Sequence, residues 1–143
     1  MEILQKENIL LNVENITREE AIKKVGQLLV DSGYAYEDYI DDMFERENVV
    51  NTYIGNGVAI PHGISHSEEH IMHSGIAILQ SKEGIEYGGN KAYLVIGIAG
   101  VNDEHLNILS NIALLIQDVE NIKRLVETDS IEEIYSMLLT EVN

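Results

Sequence analysis

The sequence predicts an α/β fold: a single domain with a mixed central β-sheet flanked by helices on both faces. The clearest indication is the segment 92–99, whose nearly continuous apolar residues are typical of a strand in the middle of a sheet. Segments in which apolar residues recur at helical spacing precede and follow it. The 143 residues, 45% of them hydrophobic, are enough for one core and too few for two ordinary domains, so residues 1–143 are interpreted as one domain.

The N-terminal part predicts one short strand and two helices. Residues 9–11 are consecutive aliphatic residues that fit a first strand. Thr17 followed by Glu20 matches a capping box, which predicts that a helix begins there and that Gly33 ends it as the C′ residue. The predicted apolar face of this helix comprises Ala21, Ile22, Val25, Leu28 and Leu29. A second helix, ending near Glu47, is predicted from the helical spacing of Tyr36, Tyr39, Ile40, Met43 and Phe44.

β-forming residues then lead to the most informative stretch of the chain. Residues 49–54 and 58–60 predict two strands, and the second ends at Pro61, the only proline, which fixes its own φ. His62 follows, and then Gly63, whose lack of a Cβ would let another molecule approach the imidazole closely. An isolated histidine is more often structural than functional. A rigid strand end is nevertheless how a nucleophilic or metal-ligating imidazole would be held, so His62 is the leading candidate for a functional residue.

The second half predicts the remaining strands and three helices. Short runs of β-formers predict strands at 75–79 and 85–87, with a turn at 82–84, before the central strand. Helical spacing predicts helices from Asn102, over 119–127 and from Ser130, which opens a second capping box. The predicted apolar face of the first of these helices comprises Leu106, Leu109, Ile112, Ala113 and Ile116.

Composition excludes several functional classes. The 25 acidic residues against 9 basic ones give a formal net charge of −16, so nucleic acid is not an expected partner, whereas a protein with a positively charged face is. The absence of cysteine excludes disulfides, thiolate zinc sites and cysteine nucleophiles. The apolar runs are far shorter than the roughly 20 residues of a membrane span, and residues 1–6 do not resemble a signal peptide. We therefore expect a soluble cytoplasmic protein without direct membrane insertion.

Two further residues could form a site with His62, and each has an ordinary structural alternative. If Asn102 caps the next helix, His105 lies in its first turn, where unpaired N–H groups favour a neutral ring and attract an anion; it could equally be a surface residue. Arg46 is the only Lys or Arg between residues 24 and 82. It could bind a phosphoryl group through two donors, or it could offset the negative end of its helix or pair with the adjacent Glu45 or Glu47.

His66, His70 and His73 suggest a different kind of site. Their i, i+4, i+7 spacing would place all three on one helical face, where they could bind zinc or nickel. The residues between them and the nearby Gly75 do not favour a helix with groups to orient the ligands. A solvated connection is therefore the expected structure of residues 65–73, and no metal or cofactor is expected.

Five stretches together resemble a known family. They are Arg46 between two glutamates, residues 52–55 (Thr-Tyr-Ile-Gly), 59–63 (Ala-Ile-Pro-His-Gly), 94–99 (Leu-Val-Ile-Gly-Ile-Ala) and 102–106 (Asn-Asp-Glu-His-Leu). In this order they are similar to the enzyme IIA domain of the phosphoenolpyruvate-dependent sugar phosphotransferase system, in its mannitol/fructose superfamily, and most of all to mannitol-specific IIA proteins. The resemblance covers nearly the whole chain, so it implies that residues 1–143 are one IIA type-2 domain.

The resemblance implies a role for each of the three candidates. His62 would accept a phosphoryl group from the phosphohistidine of the small phosphocarrier protein HPr and pass it to a cysteine on the IIB domain of a mannitol-type permease. Arg46 and His105 stand where the family has its phosphate-stabilising arginine and second active-site histidine. The nucleophile would be Nε2 of His62, with a backbone carbonyl holding Nδ1. Ile64 departs from the mannitol-type members, which often have threonine there.

The same family also admits a regulatory alternative. In that case the phosphorylation state of His62 would control the binding of another protein, and the chain would not serve transport. If it is a carrier, it must dock with its partners briefly, so a small interface is expected. The apolar residues expected around the site are Ile54, Val58 and Ile64.

Overall fold

The computed structural model describes residues 2–65, 67–101 and 103–142, which form one five-stranded sheet and five α-helices. The strands are β1 (Ile9–Leu10), β2 (Tyr53–Gly55), β3 (Val58–Ala59), β4 (Gly75–Tyr87) and β5 (Asn90–Ala99). The helices are α1 (Arg18–Asp31), α2 (Asp38–Val49), α3 (Glu104–Ile116), α4 (Val119–Glu127) and α5 (Ile131–Val142).

Strand β5 lies at the centre of the sheet, as its apolar sequence predicts. The strand order is β1-β4-β5-β3-β2. The pairs β1–β4 and β3–β5 are parallel, whereas β4–β5 and β2–β3 are antiparallel. The predicted mixed sheet is therefore confirmed.

Two apolar cores lie on opposite faces of this sheet. Helices α1 and α2 cover one face, where Val25 packs in the same core as Val95 of β5. Helices α3, α4 and α5 cover the other, where Ile112 packs in the same core as Ile96. Successive residues of β5 thus point to opposite cores, as in any strand buried on both faces. Helices on both faces of the sheet are confirmed, and no described helix is long and apolar enough to cross a membrane.

Side-chain caps fix the beginning of α1 and of α5. Thr17 Oγ1 accepts a hydrogen bond from Glu20 N at 3.1 Å, and Thr17 N donates to Glu20 Oε1 at 3.0 Å. These bonds satisfy N–H groups that the helix itself leaves unpaired. Gly33, with φ of +89°, takes the left-handed conformation beyond the helix end. At the beginning of α5, Ser130 Oγ accepts from Glu133 N at 3.1 Å. The predicted helix boundaries at these points are confirmed.

The turn predicted at residues 82–84 is wrong, because β4 runs through it. The strand pairs with β5 on both sides of this segment, with a register shift between Gln80 and Ile85. Gly84 lies inside the irregular part and has φ of +85°. An irregularity of this kind uses the same positive-φ glycine as a turn, so the local sequence does not distinguish them.

Other local predictions fail where apolar residues lie at the surface. The strand predicted over 49–54 begins only at Tyr53, because α2 continues to Val49. Tyr36, predicted within the second helix, lies before α2 and is 54% exposed. Leu106, predicted on the apolar face of α3, is 60% exposed. Of the residues predicted on the apolar face of α3, Ile112 and Ile116 are buried as expected, and Ile108 and Leu115 are buried as well.

Candidate functional site

Strand β3 carries the chain to the candidate site beside β5. The pairing continues beyond Ala59, where His62 forms a parallel bridge with Ile98. Ile98 N donates to the Pro61 carbonyl at 2.9 Å, a bond that does not need the N–H that proline lacks. His62 therefore lies at the end of a short strand that is fixed to the central strand of the sheet.

The imidazole of His62 is held by its own strand. Its Nδ1 lies 2.7 Å from the Ile60 carbonyl oxygen. Because a carbonyl only accepts hydrogen bonds, this contact assigns the proton to Nδ1 and leaves the lone pair on Nε2. Burial lowers the pKa of His62; the Ile60 carbonyl opposes this effect, while His105 and Arg46 add to it. The expected backbone carbonyl on the Nδ1 side is confirmed, and the ring favours its neutral form.

His105 reaches the same place from the first turn of α3. The ring centroids of His62 and His105 are 5.1 Å apart, and the ring planes are tilted by 57°. Gly100 makes this approach possible, because a Cβ there would lie 2.4 Å from His105 Cα. Burial lowers the pKa of His105, with Glu68 acting in the opposite direction. Asn102, the predicted cap of this helix, lies outside the described residues.

Arg46 has the helix-end contact that the sequence offered as its structural alternative. It lies in the last turn of α2, and its Nη1 donates to the Val50 carbonyl at 2.8 Å. Glu47, one predicted ion-pair partner, is occupied elsewhere: it accepts hydrogen bonds from Thr52 N at 3.2 Å and from the Tyr87 hydroxyl at 2.9 Å. One nitrogen of the guanidinium thus fixes the side chain at the end of α2.

A cavity of about 290 Å³ brings the three candidates together. Arg46, His62 and His105 line it, and Ser67 and Glu68 lie along its wall. It combines a neutral imidazole, a guanidinium and the first turn of a helix, all of which suit an anion. The arrangement can place an anionic group against the unprotonated Nε2 of His62. The sequence did not reveal Ser67 and Glu68, because they belong to the polar stretch without a clear pattern.

Gly63 is required for a different reason from the predicted one. A Cβ at Gly63 would lie 2.4 Å from Tyr39 Cε1 and 2.5 Å from Ser67 Oγ. The space beside Gly63 is therefore filled from within the protein and is not left open for an approaching molecule. Tyr39 was predicted only as one of the residues at helical spacing in the second helix, and no local signal distinguishes it from its apolar neighbours.

The second histidine group has a different environment. His70 Nδ1 lies 2.5 Å from Asp42 Oδ2, and this contact raises the pKa of His70. His73 is exposed, and His66 lies outside the described residues. Within residues 2–65, 67–101 and 103–142, no group of three or more His, Cys, Asp or Glu side chains is arranged to hold a metal ion.

The apolar residues predicted for the docking patch differ in their exposure. Val58 is fully buried and cannot contact a partner. Ile54 is 39% exposed and Ile64 is half-buried. Leu106, which follows His105 at the beginning of α3, adds exposed apolar surface that the sequence assigned to the core.

Comparisons with known proteins agree on one family. Residues 2–141 match the family described as phosphoenolpyruvate-dependent sugar phosphotransferase system, EIIA 2. The mannitol-specific phosphotransferase enzyme IIA component of Bacillus subtilis (strain 168) is 52% identical over 144 aligned residues, covering 100% of both chains.

Two solved structures from Escherichia coli have the same fold over nearly the whole chain. In the complex of enzyme IIA mannitol with phosphorylated enzyme IIB mannitol, the similar chain has a TM-score of 0.90 and 34% identity, covering 96% of this chain and 97% of that one. The crystal structure of IIA mannitol has a TM-score of 0.87 and 36% identity, covering 94% and 98%.

Proposed function

The chain belongs to the phosphoenolpyruvate-dependent sugar phosphotransferase system EIIA 2 family, and on that basis we propose that it is a phosphohistidine carrier for mannitol uptake. It accepts a phosphoryl group from phospho-HPr on His62 and passes it to the IIB domain of a mannitol permease. The observation that carries this proposal is the contact of His62 Nδ1 with the Ile60 carbonyl, which leaves Nε2 free in a cavity suited to an anion. Because its donor is HPr, the carrier acts in the cytoplasm.

The proposed transfer exchanges one nitrogen–phosphorus bond for another. The lone pair on His62 Nε2 attacks phosphorus, and the bond between phosphorus and the donor imidazole breaks. The donor ring leaves with the bonding electrons. Nδ1 of His62 keeps its proton throughout, and its bond to the Ile60 carbonyl stabilises the charge that the phosphorylated ring acquires. No proton, metal or cofactor is needed for this step.

Arg46 and His105 are proposed to stabilise the phosphoryl oxygens. Phosphoryl transfer depends mainly on positioning and on charge stabilisation. Arg46 has donors beyond the one bonded to Val50, and it lines the cavity in front of His62. The His105 ring and the N–H groups of the first turn of α3 can also stabilise the phosphoryl oxygens. One cation and one helix terminus hold the group without trapping it, as a carrier requires.

The acceptor is proposed from the relatives. A chain 34% identical to this one is found with phosphorylated IIB mannitol, and a full-length relative 52% identical is mannitol-specific. The second transfer reverses the geometry of the first: a IIB cysteine attacks phosphorus, and the His62 ring leaves through Nε2. The exposed side chains of Ile54 and Leu106 are suited to the apolar part of such a contact.

Reconstitution tests the proposal directly. The chain is incubated with radiolabelled phosphoenolpyruvate, enzyme I and HPr, and the expected result is about one acid-labile phosphate per chain. His62→Ala should take up none, whereas His73→Ala, which alters an exposed histidine outside the cavity wall, should be labelled normally. Labelling that survives His62→Ala contradicts the proposal.

A chase separates the carrier from the regulatory alternative. When a mannitol-type IIB domain is added to the labelled chain, the carrier should lose its phosphate to IIB. A chain that keeps its label in the presence of active IIB would instead support a regulatory role.

A further inference from the structure

We propose that Tyr39 is a positioning residue for phosphoryl transfer, and that its hydroxyl fixes the peptide bond that follows His62. Tyr39 lies in α2, and only 1% of it is exposed. Its hydroxyl is placed between two backbone groups that belong to different parts of the site. This proposal depends on the function proposed above for His62.

The hydroxyl of Tyr39 joins two segments of the chain. Gly63 N donates to it at 2.8 Å, and it donates to the Ile98 carbonyl at 2.6 Å. The direction of both bonds is determined, because an amide only donates and a carbonyl only accepts. Burial raises the pKa of Tyr39 far above its ordinary value, so the hydroxyl keeps the proton that the second bond needs.

Both peptide bonds that flank His62 are therefore fixed to Ile98. On the N-terminal side, the Pro61 carbonyl accepts directly from Ile98 N at 2.9 Å. On the C-terminal side, Gly63 N reaches the Ile98 carbonyl through Tyr39. The backbone angles of His62 are thus set from both sides, and the Ile60 carbonyl then sets its ring.

The ring of Tyr39 also explains why residue 63 is a glycine. A Cβ at Gly63 would lie 2.4 Å from Cε1 and 3.0 Å from Cζ of this ring. Only glycine lets the hydroxyl come close enough to bond to the Gly63 amide. The pair is complementary: the tyrosine provides the bridge, and the glycine provides the room for it.

Tyr39→Phe removes the bridge and keeps the ring. We expect single-turnover transfer from phospho-HPr to slow about tenfold, since small displacements of a nucleophile are costly, while the concentration of phospho-HPr at half-saturation stays within about twofold. The matched control is Tyr34→Phe. Tyr34 is also fully buried and its hydroxyl also donates to a backbone carbonyl, that of Glu2, but Tyr34 does not line the cavity. Transfer in this control should stay within about twofold of the parent.

Nitrogen-15 NMR of the unphosphorylated His62 ring gives a second readout that does not depend on transfer. The parent chain and Tyr34→Phe should show the proton on Nδ1, whereas Tyr39→Phe should show a mixture of the two neutral tautomers. Unchanged transfer in Tyr39→Phe, equal slowing in both variants, or an unchanged His62 tautomer in Tyr39→Phe would each overturn the proposal. If the parent chain accepts no phosphate, the proposed function fails, and the tautomer alone decides the positioning role.

Discussion

The imidazole rings of His62 and His105 lie with their centroids 5.1 Å apart and their planes tilted by 57°, although they come from different elements of the fold. Two rings this close and this buried cannot both carry a charge without a large cost. Burial is the main cause that lowers the pKa of each, and His105 further lowers that of His62. The pair therefore keeps a neutral nucleophile available beside a helix terminus that attracts an anion.

The first prediction concerns pH. Because the pKa of His62 is lowered, more than half of its rings are still neutral at the ordinary imidazole value of about 6.5. Transfer from preformed phospho-HPr should therefore fall to half of its value at pH 8 only below about pH 6.5. NMR titration should place the midpoint of His62 below 6.5 and that of His70, which is paired with Asp42, above it. A His62 midpoint above 6.5 would contradict this account.

The second prediction concerns Arg46. Arg46→Gln removes the cation from the cavity wall, so phosphoryl transfer should slow by about 10- to 100-fold. The loss of one partly exposed hydrogen bond to Val50 should lower the free energy of unfolding by no more than about 1 kcal/mol, measured by urea denaturation. Arg124→Gln serves as the control, because Arg124 pairs with Glu133 on the surface. If both variants transfer at the parent rate, the role of Arg46 is limited to its hydrogen bond with the Val50 carbonyl at the end of α2.

The third prediction concerns the glycine beneath His105. In Gly100→Ala, the new Cβ would meet the backbone of His105, which is part of α3 and cannot move aside as a flexible side chain would. We expect a loss of about 1–3 kcal/mol in the free energy of unfolding, together with slower transfer. His105→Ala should slow transfer without a comparable loss of stability. An unchanged stability in Gly100→Ala would show that α3 does not need its close approach to β5.

The sequence predicts those parts of the fold that depend on residues close to one another along the chain. The capping box at Thr17 and the apolar run of β5 are local signals, and the structure confirms both. The irregular course of β4 at Gly84 could not be predicted, because a turn and a strand irregularity use the same residue type there.

In the candidate site, too, residues with a local sequence signal could be predicted, and contacts between distant parts of the chain could not. His62 stands out because its proline and glycine are adjacent to it in the sequence. The role of Tyr39 beside Gly63 could not be found in this way, because the two residues are 24 positions apart and meet only in the folded chain. Leu106 was misassigned for a related reason: its apolar character fits both a buried helix face and an exposed contact surface.

The position of the phosphoryl group on the His62 ring is the sharpest test of whether Nε2 of His62 is the nucleophile. In the phosphorylated chain labelled with nitrogen-15, scalar coupling to phosphorus can be assigned to one ring nitrogen. We expect coupling to Nε2 of His62, with Nδ1 still protonated and bonded to the Ile60 carbonyl. Coupling to Nδ1, or to a nitrogen of His105 or any other histidine, would contradict it.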